Sequence, residues 1–341
     1  MTDALPLFAV IVGLSALLTG CRDEPVSVEI SGRTMGTRYK VKVSTLPDDL
    51  SPTDVQFALN EVLESVDEQM STWREDSEIS RFNASTSTDW FPVSRDFAYV
   101  VDRALEVNRS TGGAFDITVG PLVRLWGFGP GGDRTRIPTQ DEIEEMMQSV
   151  GADDLEVRAE SPALRKSNPA IEIDVSAIAK GYAVDRIADA LEALGVNSYM
   201  VEIGGEVRAR GLKTDGRKWL IGIETPTAGG SGVVETVELD GQAIATSGDY
   251  RNYFEIEGER YAHIIDPRTG WPVAHELASV SVKADDCALA DAMATALVVL
   301  GPGEGISFAQ ENEIAVLMFV RNGDLFESVA TDGFNPSGTK L

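Results

Sequence analysis

Ser198-Tyr199-Met200-Val201-Glu202-Ile203-Gly204-Gly205-Glu206-Val207 reads as a strand, and it follows a segment from about Ala177 to Leu194 whose apolar spacing predicts a helix. Downstream, strands are expected at Trp219 to Glu224, Val233 to Leu239, Tyr253 to Glu257 and Ala278 to Lys283, joined mostly as hairpins. Two helices follow, about Asp285 to Leu300 and Glu304 to Asn312, and then a hairpin turned at Asn322-Gly323. Upstream, a short strand from Ala170 precedes the helix. Further back, Thr139-Gln140-Asp141-Glu142 is a capping box opening a helix that closes near Gly151, and Ser94 starts another through Val107, ending at Thr111-Gly112-Gly113. Near the start, Val28 to Val43 reads as a strand pair turned near Gly36. Ser51 then caps a helix that Pro52 begins and that Val55, Leu59, Val62, Val66 and Met70 make amphipathic, and a polar loop runs from Met70 to Asn83. Hairpin-linked strands with helices in pairs between them predict an α+β fold of antiparallel sheets covered by helices, not a doubly wound parallel sheet.

The 341 residues carry 29 Lys and Arg against 55 Asp and Glu, a formal charge of −26, which argues against nucleic acid as a partner because phosphate contacts need a basic face. Ala4 to Leu18 is an apolar run of signal-peptide length, too short to span a bilayer comfortably. It ends in Leu17-Leu18-Thr19-Gly20-Cys21, which resembles the lipobox of bacterial lipoproteins, so residues 1–20 are expected to be a leader and Cys21 the lipidated residue of an exported chain anchored in the cell membrane, facing the periplasm. Met1-Thr2-Asp3 departs from that pattern by lacking basic residues. Cys287 is the only other cysteine, so no disulfide forms within the chain once Cys21 is acylated.

With two histidines, His263 and His275, and no HExxH, GxSxG or paired cysteines, zinc hydrolysis and Ser or Cys nucleophilic catalysis have little support. Gly127-Phe128-Gly129-Pro130-Gly131-Gly132 satisfies GxGxxG, but Pro130 removes a phosphate-cradling donor and Asp133 to Pro138 delays the next helix, so it reads as a loop. In the helix Asp286 to Thr295, the i,i+4 pair Asp291 and Thr295 lies on one face amid small residues. Such a pair is either solvated or a partial ligand set for magnesium, which keeps waters and takes substrate phosphates. Asp174 to Ala183 places a strand end against a helix start, with Asp174 either a plain N-cap or part of a nucleotide site. Thr111 to Thr118 and His263 to Gly270 are glycine-bearing loops that either turn or approach a ligand.

Together these clusters resemble the ApbE family of FAD:protein FMN transferases over nearly the whole chain after the leader. The matching segments, in family order, are Met35-Gly36-Thr37, Met70 to Trp73 through Ser80 to Asn83, Gly113 to Asp116, Asp174 to Asp185, Ile203 to Glu206, Ser247 to Tyr250, His263 to Gly270 and Asp286 to Thr295. The resemblance implies a T-fold-like architecture over residues 21–341, two intertwined lobes with an FAD cleft between them, and Mg²⁺ at the FAD pyrophosphate. It places Met35, Trp73, Ala114, Phe115, Asp116, Asp174, Lys180 and Ile265 at the FAD site, and the Ala177 carbonyl with Asp291 and Thr295 on the metal. Trp73 stands where many relatives carry Tyr, and Lys180 where some carry Glu, which leaves the contact of Lys180 open.

The implied reaction is in-line displacement at the FMN phosphorus of FAD by a Thr or Ser hydroxyl of a target protein, with AMP leaving. The implied acceptors are exported subunits of membrane redox complexes of the Na⁺-pumping quinone reductase or Rnf type. His263 is the candidate base, its ordinary pKa lying near working pH, against a positioning or structural role. Two other readings use the same residues: an FAD pyrophosphatase in which water is the nucleophile, and a non-catalytic FAD-binding lipoprotein.

Overall fold

A hairpin of β1 (Val28–Thr34) and β2 (Thr37–Val43) turns through Met35 and Gly36, at φ 47° and 70°, in the computed structural model, which describes residues 27–226, 232–250, 252–323 and 325–334. The expected leader and Cys21 lie outside the described residues. α1 (Pro52–Met70) starts at a complete Ser51/Asp54 capping box and buries Val55, Leu59, Leu63, Val66 and Met70. α2 (Glu78–Ala84), capped by Ser77, β3 (Phe91–Pro92), α3 (Arg95–Ser110), capped by Ser94, and α4 (Gly120–Leu125) follow. α5 (Gln140–Met147) begins at the expected Thr139/Glu142 capping box, and β4 (Leu155–Arg158) and β5 (Ala163–Lys166) join β3 in a small sheet.

After α6 (Ser176–Ala193) come the hairpin β6 (Tyr199–Ile203) and β7 (Glu206–Arg210), the two-stranded β8 (Trp219–Glu224) and β9 (Val233–Leu239), and β10 (Gln242–Gly248). β11 (Tyr253–Ile256) and β12 (Glu259–Ala262) form another hairpin, followed by β13 (Leu277–Ala284), α7 (Cys287–Glu311), β14 (Ala315–Asn322) and β15 (Leu325–Ala330). The main sheet is fully antiparallel in the order β1-β2-β6-β7-β10-β13-β14-β15, with α6 and α7 packed on it and α1 on α6, which is the expected α+β class.

The structure departs from the sequence reading at several places. The stretch 198–207 is two strands, because Gly204 and Gly205, at φ 66° and 111°, reverse the chain between them. No strand forms at Ala170, and the polar segment before Asn83 contains α2. The two expected C-terminal helices are both present, meeting at a sharp kink at Gly301 and Pro302, where Gly301 has φ 78°, and together they make up α7. α7 is long and apolar enough to cross a membrane, but Ala290, Ala294, Leu297 and Val298 are buried in the main core.

The contact between α6 and α7 positions the charged groups of the candidate site. A Cβ on Gly181 would lie 2.3 Å from the Cys287 carbonyl oxygen, so only glycine lets the helices approach this closely. Asp185 of α6 accepts hydrogen bonds from the backbone N–H groups of Cys287 and Ala288, satisfying donors that the first turn of α7 leaves unpaired. Arg208 of β7 donates to the same carboxylate at 2.7 Å.

Candidate active site

Asp291 lies one and a half turns into α7, 1% exposed. Its Oδ2 accepts from the Gly181 N–H at 3.0 Å and lies 3.5 Å from Lys180 Nζ. In a regular helix that N–H points at the Ala177 carbonyl, so Asp291 sits against the turn that carries Ala177. Lys180 Nζ is also 3.5 Å from Glu206 Oε1, and it donates to the Ser176 carbonyl at 3.1 Å. Burial works against the Lys180 ammonium, but Asp291 and Glu206 outweigh it and hold its pKa above the ordinary lysine value. Burial pushes the Glu206 carboxyl up to about 7 against the pull of Lys180, and Glu206 Oε2 has no hydrogen-bond partner. Thr295 Oγ1, one turn beyond Asp291, is 3.1 Å from Ser247 Oγ of β10.

This donor set suits a hard cation that keeps part of its shell for substrate oxygens. Asp291 offers a carboxylate, Thr295 a hydroxyl on the same helix face and Ala177 a carbonyl at the facing turn. Among the described residues no group of three or more His, Cys, Asp or Glu side chains forms a cage. The orphaned Glu206 oxygen marks a pocket with more negative charge than Lys180 compensates.

His263 is half-buried beyond the end of β12. Its Nδ1 lies 3.0 Å from the Asn252 carbonyl oxygen, which also accepts the His263 backbone N–H at 3.1 Å. A carbonyl only accepts, so Nδ1 carries the hydrogen and Nε2 keeps a free lone pair. Burial pushes the imidazole down to about 4, leaving it neutral at working pH. The ring meets Phe128 edge-on at 6.2 Å, and ring contacts continue through Phe254, Tyr261 and Trp126 to Trp271, stacked between Phe254 and Tyr261 and between Tyr261 and Trp126 and tilted at the other two. Trp126 is fully buried and donates Nε1–H to the Gly270 carbonyl at 2.8 Å.

The GxGxxG stretch belongs to this aromatic region as a loop after α4, with Gly127 and Gly131 at positive φ and no strand leading into it. Arg134 covers the Phe128 ring at 4.6 Å, donates to the Gly127 carbonyl at 2.9 Å and reaches Asn252 Oδ1 at 3.2 Å. It thereby ties the loop to the residue that orients His263.

The remaining expected site residues divide into three groups. Asp174 Oδ1 accepts the Ser176 N–H at 2.8 Å just ahead of Val175, which holds the cap position of α6, and Asp174 N–H donates to the Ile117 carbonyl at 2.7 Å. Asp174 also lines a cleft of about 240 Å³ with Thr72, Asn83, Arg124 and Gly129, and Trp73, the residue after Thr72, is 71% exposed. Ala114, Phe115 and Ile265 are buried in apolar cores, and Asp116 accepts from Thr118 N, Thr118 Oγ1 and Ala152 N, with burial raising its pKa. Met35 lines a different groove, of about 1080 Å³, beside α1. Asn252 and Arg134 fall outside the segments that the sequence marks, and Gly181 and Glu206 fall inside them without a role of their own; a lone acid directly after Gly204-Gly205, opening a mostly buried strand, is the signal that marks Glu206.

The sequence pattern of the ApbE family matches residues 35–318. A Vibrio cholerae protein named FAD:protein FMN transferase is 45% identical over 320 residues, covering 94% of this chain and 95% of its own length. A Haemophilus influenzae protein of the same name is 42% identical, covering 95% of each. The solved structure of the flavin transferase ApbE from Vibrio cholerae superposes with a TM-score of 0.84 at 44% identity, over 91% of this chain and 98% of that one. The apo flavinyl transferase ApbE of Pseudomonas stutzeri gives 0.84 at 39% identity, over 91% of this chain and 96% of that one.

Proposed function

The chain belongs to the ApbE family, and from that kinship we propose that it moves FMN from FAD to a Thr or Ser hydroxyl of a target protein in an Mg²⁺-dependent reaction that releases AMP. The observation that carries this reading is the buried Asp291 carboxylate held against the turn of Ala177, with Thr295 on the same helix face. Asp291, Thr295 and the Ala177 carbonyl would hold the cation. A bound Mg²⁺ supplies neutralisation of pyrophosphate charge, the main demand of a loose phosphoryl-transfer transition state.

The chain's own groups account for the rest. His263 Nε2 takes the acceptor's hydroxyl proton as that oxygen bonds to the FMN phosphorus. The bond from that phosphorus to the bridging oxygen breaks, and AMP leaves with the electron pair. The low basicity of His263 suits a transition state in which bond breaking runs ahead and nucleophile deprotonation comes late. The cleft bearing Asp174 is a candidate FAD subsite, and the exposed Trp73, next in sequence to the lining residue Thr72, offers a stacking face.

The lipobox-like stretch ending at Cys21 supports export and lipid anchoring with the enzyme facing the periplasm, where exported subunits of Na⁺-pumping quinone reductase or Rnf-type complexes would be acceptors. Labelling cells with a fatty-acid analogue tests the anchor: label lost in Cys21→Ala supports it, and label retained removes it. Incubating the protein with FAD, Mg²⁺ and a candidate acceptor, followed by intact mass, tests the reaction. A covalent FMN on the acceptor is expected, and free FMN and AMP with an unmodified acceptor would instead indicate a pyrophosphatase.

A further inference from the structure

Lys180 Nζ stands 3.5 Å from each of two carboxylates, Asp291 Oδ2 and Glu206 Oε1. Both are almost wholly buried, with 2% and 4% of their side chains exposed. Charges this deep persist only when compensated, and here one ammonium is divided between two acids. The division is incomplete. Glu206 Oε2 has no partner and lies close over the Gly204 turn, where an added Cβ would meet it at 3.2 Å. A divalent cation seated on Asp291 would bring its charge against the same ammonium, and repulsion at that range in a weakly screened interior is severe. The ammonium then needs its other carboxylate.

We propose that Glu206 is a positioning residue, the counter-ion onto which Lys180 withdraws when a divalent cation takes Asp291. The inference rests on the metal reading above. With Glu206 ionised, Lys180 gives up Asp291 at little cost. With that charge removed, Lys180 has only Asp291 to pair with and competes with the incoming ion.

The test is calorimetric binding of Mg²⁺ alone, without FAD, near pH 8, to the full chain and to Glu206→Gln, Lys180→Met, the double variant and Asp291→Asn. Glu206→Gln is expected to weaken binding about tenfold, and Lys180→Met to tighten it about threefold, as removal of a competing charge should. In the Lys180→Met background the added Glu206→Gln change should cost less than about threefold, because the group that Glu206 positions is gone. Wild-type affinity in Glu206→Gln, an equal loss in both backgrounds, or weaker or unchanged binding in Lys180→Met would each overturn the proposal. If Glu206→Gln does not fold, Glu206→Ala takes its place with the same expectations. Equal binding by wild type and Asp291→Asn would remove the metal reading itself, and the proposal with it. Loss only in Asp291→Asn would remove the proposal and leave that reading standing.

Discussion

The α6–α7 contact and the aromatic region around His263 build the two halves of the site by different physics. At the first, backbones touch: Gly181 leaves no room for a methyl group, and two buried carboxylates share a partly exposed lysine beside it. At the second, rings and a loop do the packing, and the functional group is neutral because burial holds the His263 pKa down to about 4. A site that must gather phosphate charge buries its carboxylates, and one that must accept a proton keeps its imidazole uncharged.

Breaking the ionic half should have the largest effect. Asp291→Asn keeps an oxygen for the Gly181 N–H but loses the carboxylate, and FMN transfer should fall by about three orders of magnitude while the melting temperature changes little. Gly181→Ala attacks the same half through packing: unfolding titrations should show a loss of about 3 kcal/mol as the new methyl group meets the Cys287 carbonyl.

The aromatic half should respond more mildly and with a different pH signature. His263→Ala should lower the transfer rate about a hundredfold. At saturating Mg²⁺ and FAD, the acid limb that depends on His263 should fall near pH 4, not near the ordinary histidine value of 6.5. The same depressed pKa has a consequence for stability. Between about 6.5 and 4 the unfolded chain binds a proton at this residue that the folded chain refuses, so stability falls as pH falls through that window. An acid limb near 6.5 that vanishes in His263→Ala would contradict the burial argument. The smallest effect is expected at Gly131, which has φ 71° and nothing near an added Cβ. Gly131→Ala should cost about 1 kcal/mol of stability and leave FAD affinity unchanged, because Gly131, unlike Gly129, does not line the Asp174 cleft; lost affinity would extend the nucleotide site to Gly131.

The same contrast explains what the sequence disclosed. Helices announced themselves through caps and period: Ser51, Ser94 and Thr139 all cap where expected. Strands β8 and β9 matched their expected limits because turn residues bound apolar runs. β10 went unread because Ala243, Ala245, Thr246, Ser247 and Gly248 are small, lack the bulk of typical strand residues and carry no clean alternation. The spacing of Asp291 and Thr295 on one helix face was legible, as was the loop character of Gly127 to Gly132. Glu206 was not, since its partner Lys180 lies 26 positions earlier, and only the fold brings a strand start beneath a helix start. His263 was visible as a residue, but its neutrality was not, because that depends on Asn252, Phe128 and burial.

The decisive measurement is the intact mass of a candidate acceptor after incubation with FAD and Mg²⁺, run in parallel on wild type and Asp291→Asn. With wild type the acceptor should become heavier by one FMN moiety, with AMP released in equal amount, and Asp291→Asn should give neither product at a comparable rate. AMP and free FMN with an unmodified acceptor would contradict the transferase reading, and full modification by Asp291→Asn would contradict the role given to Asp291.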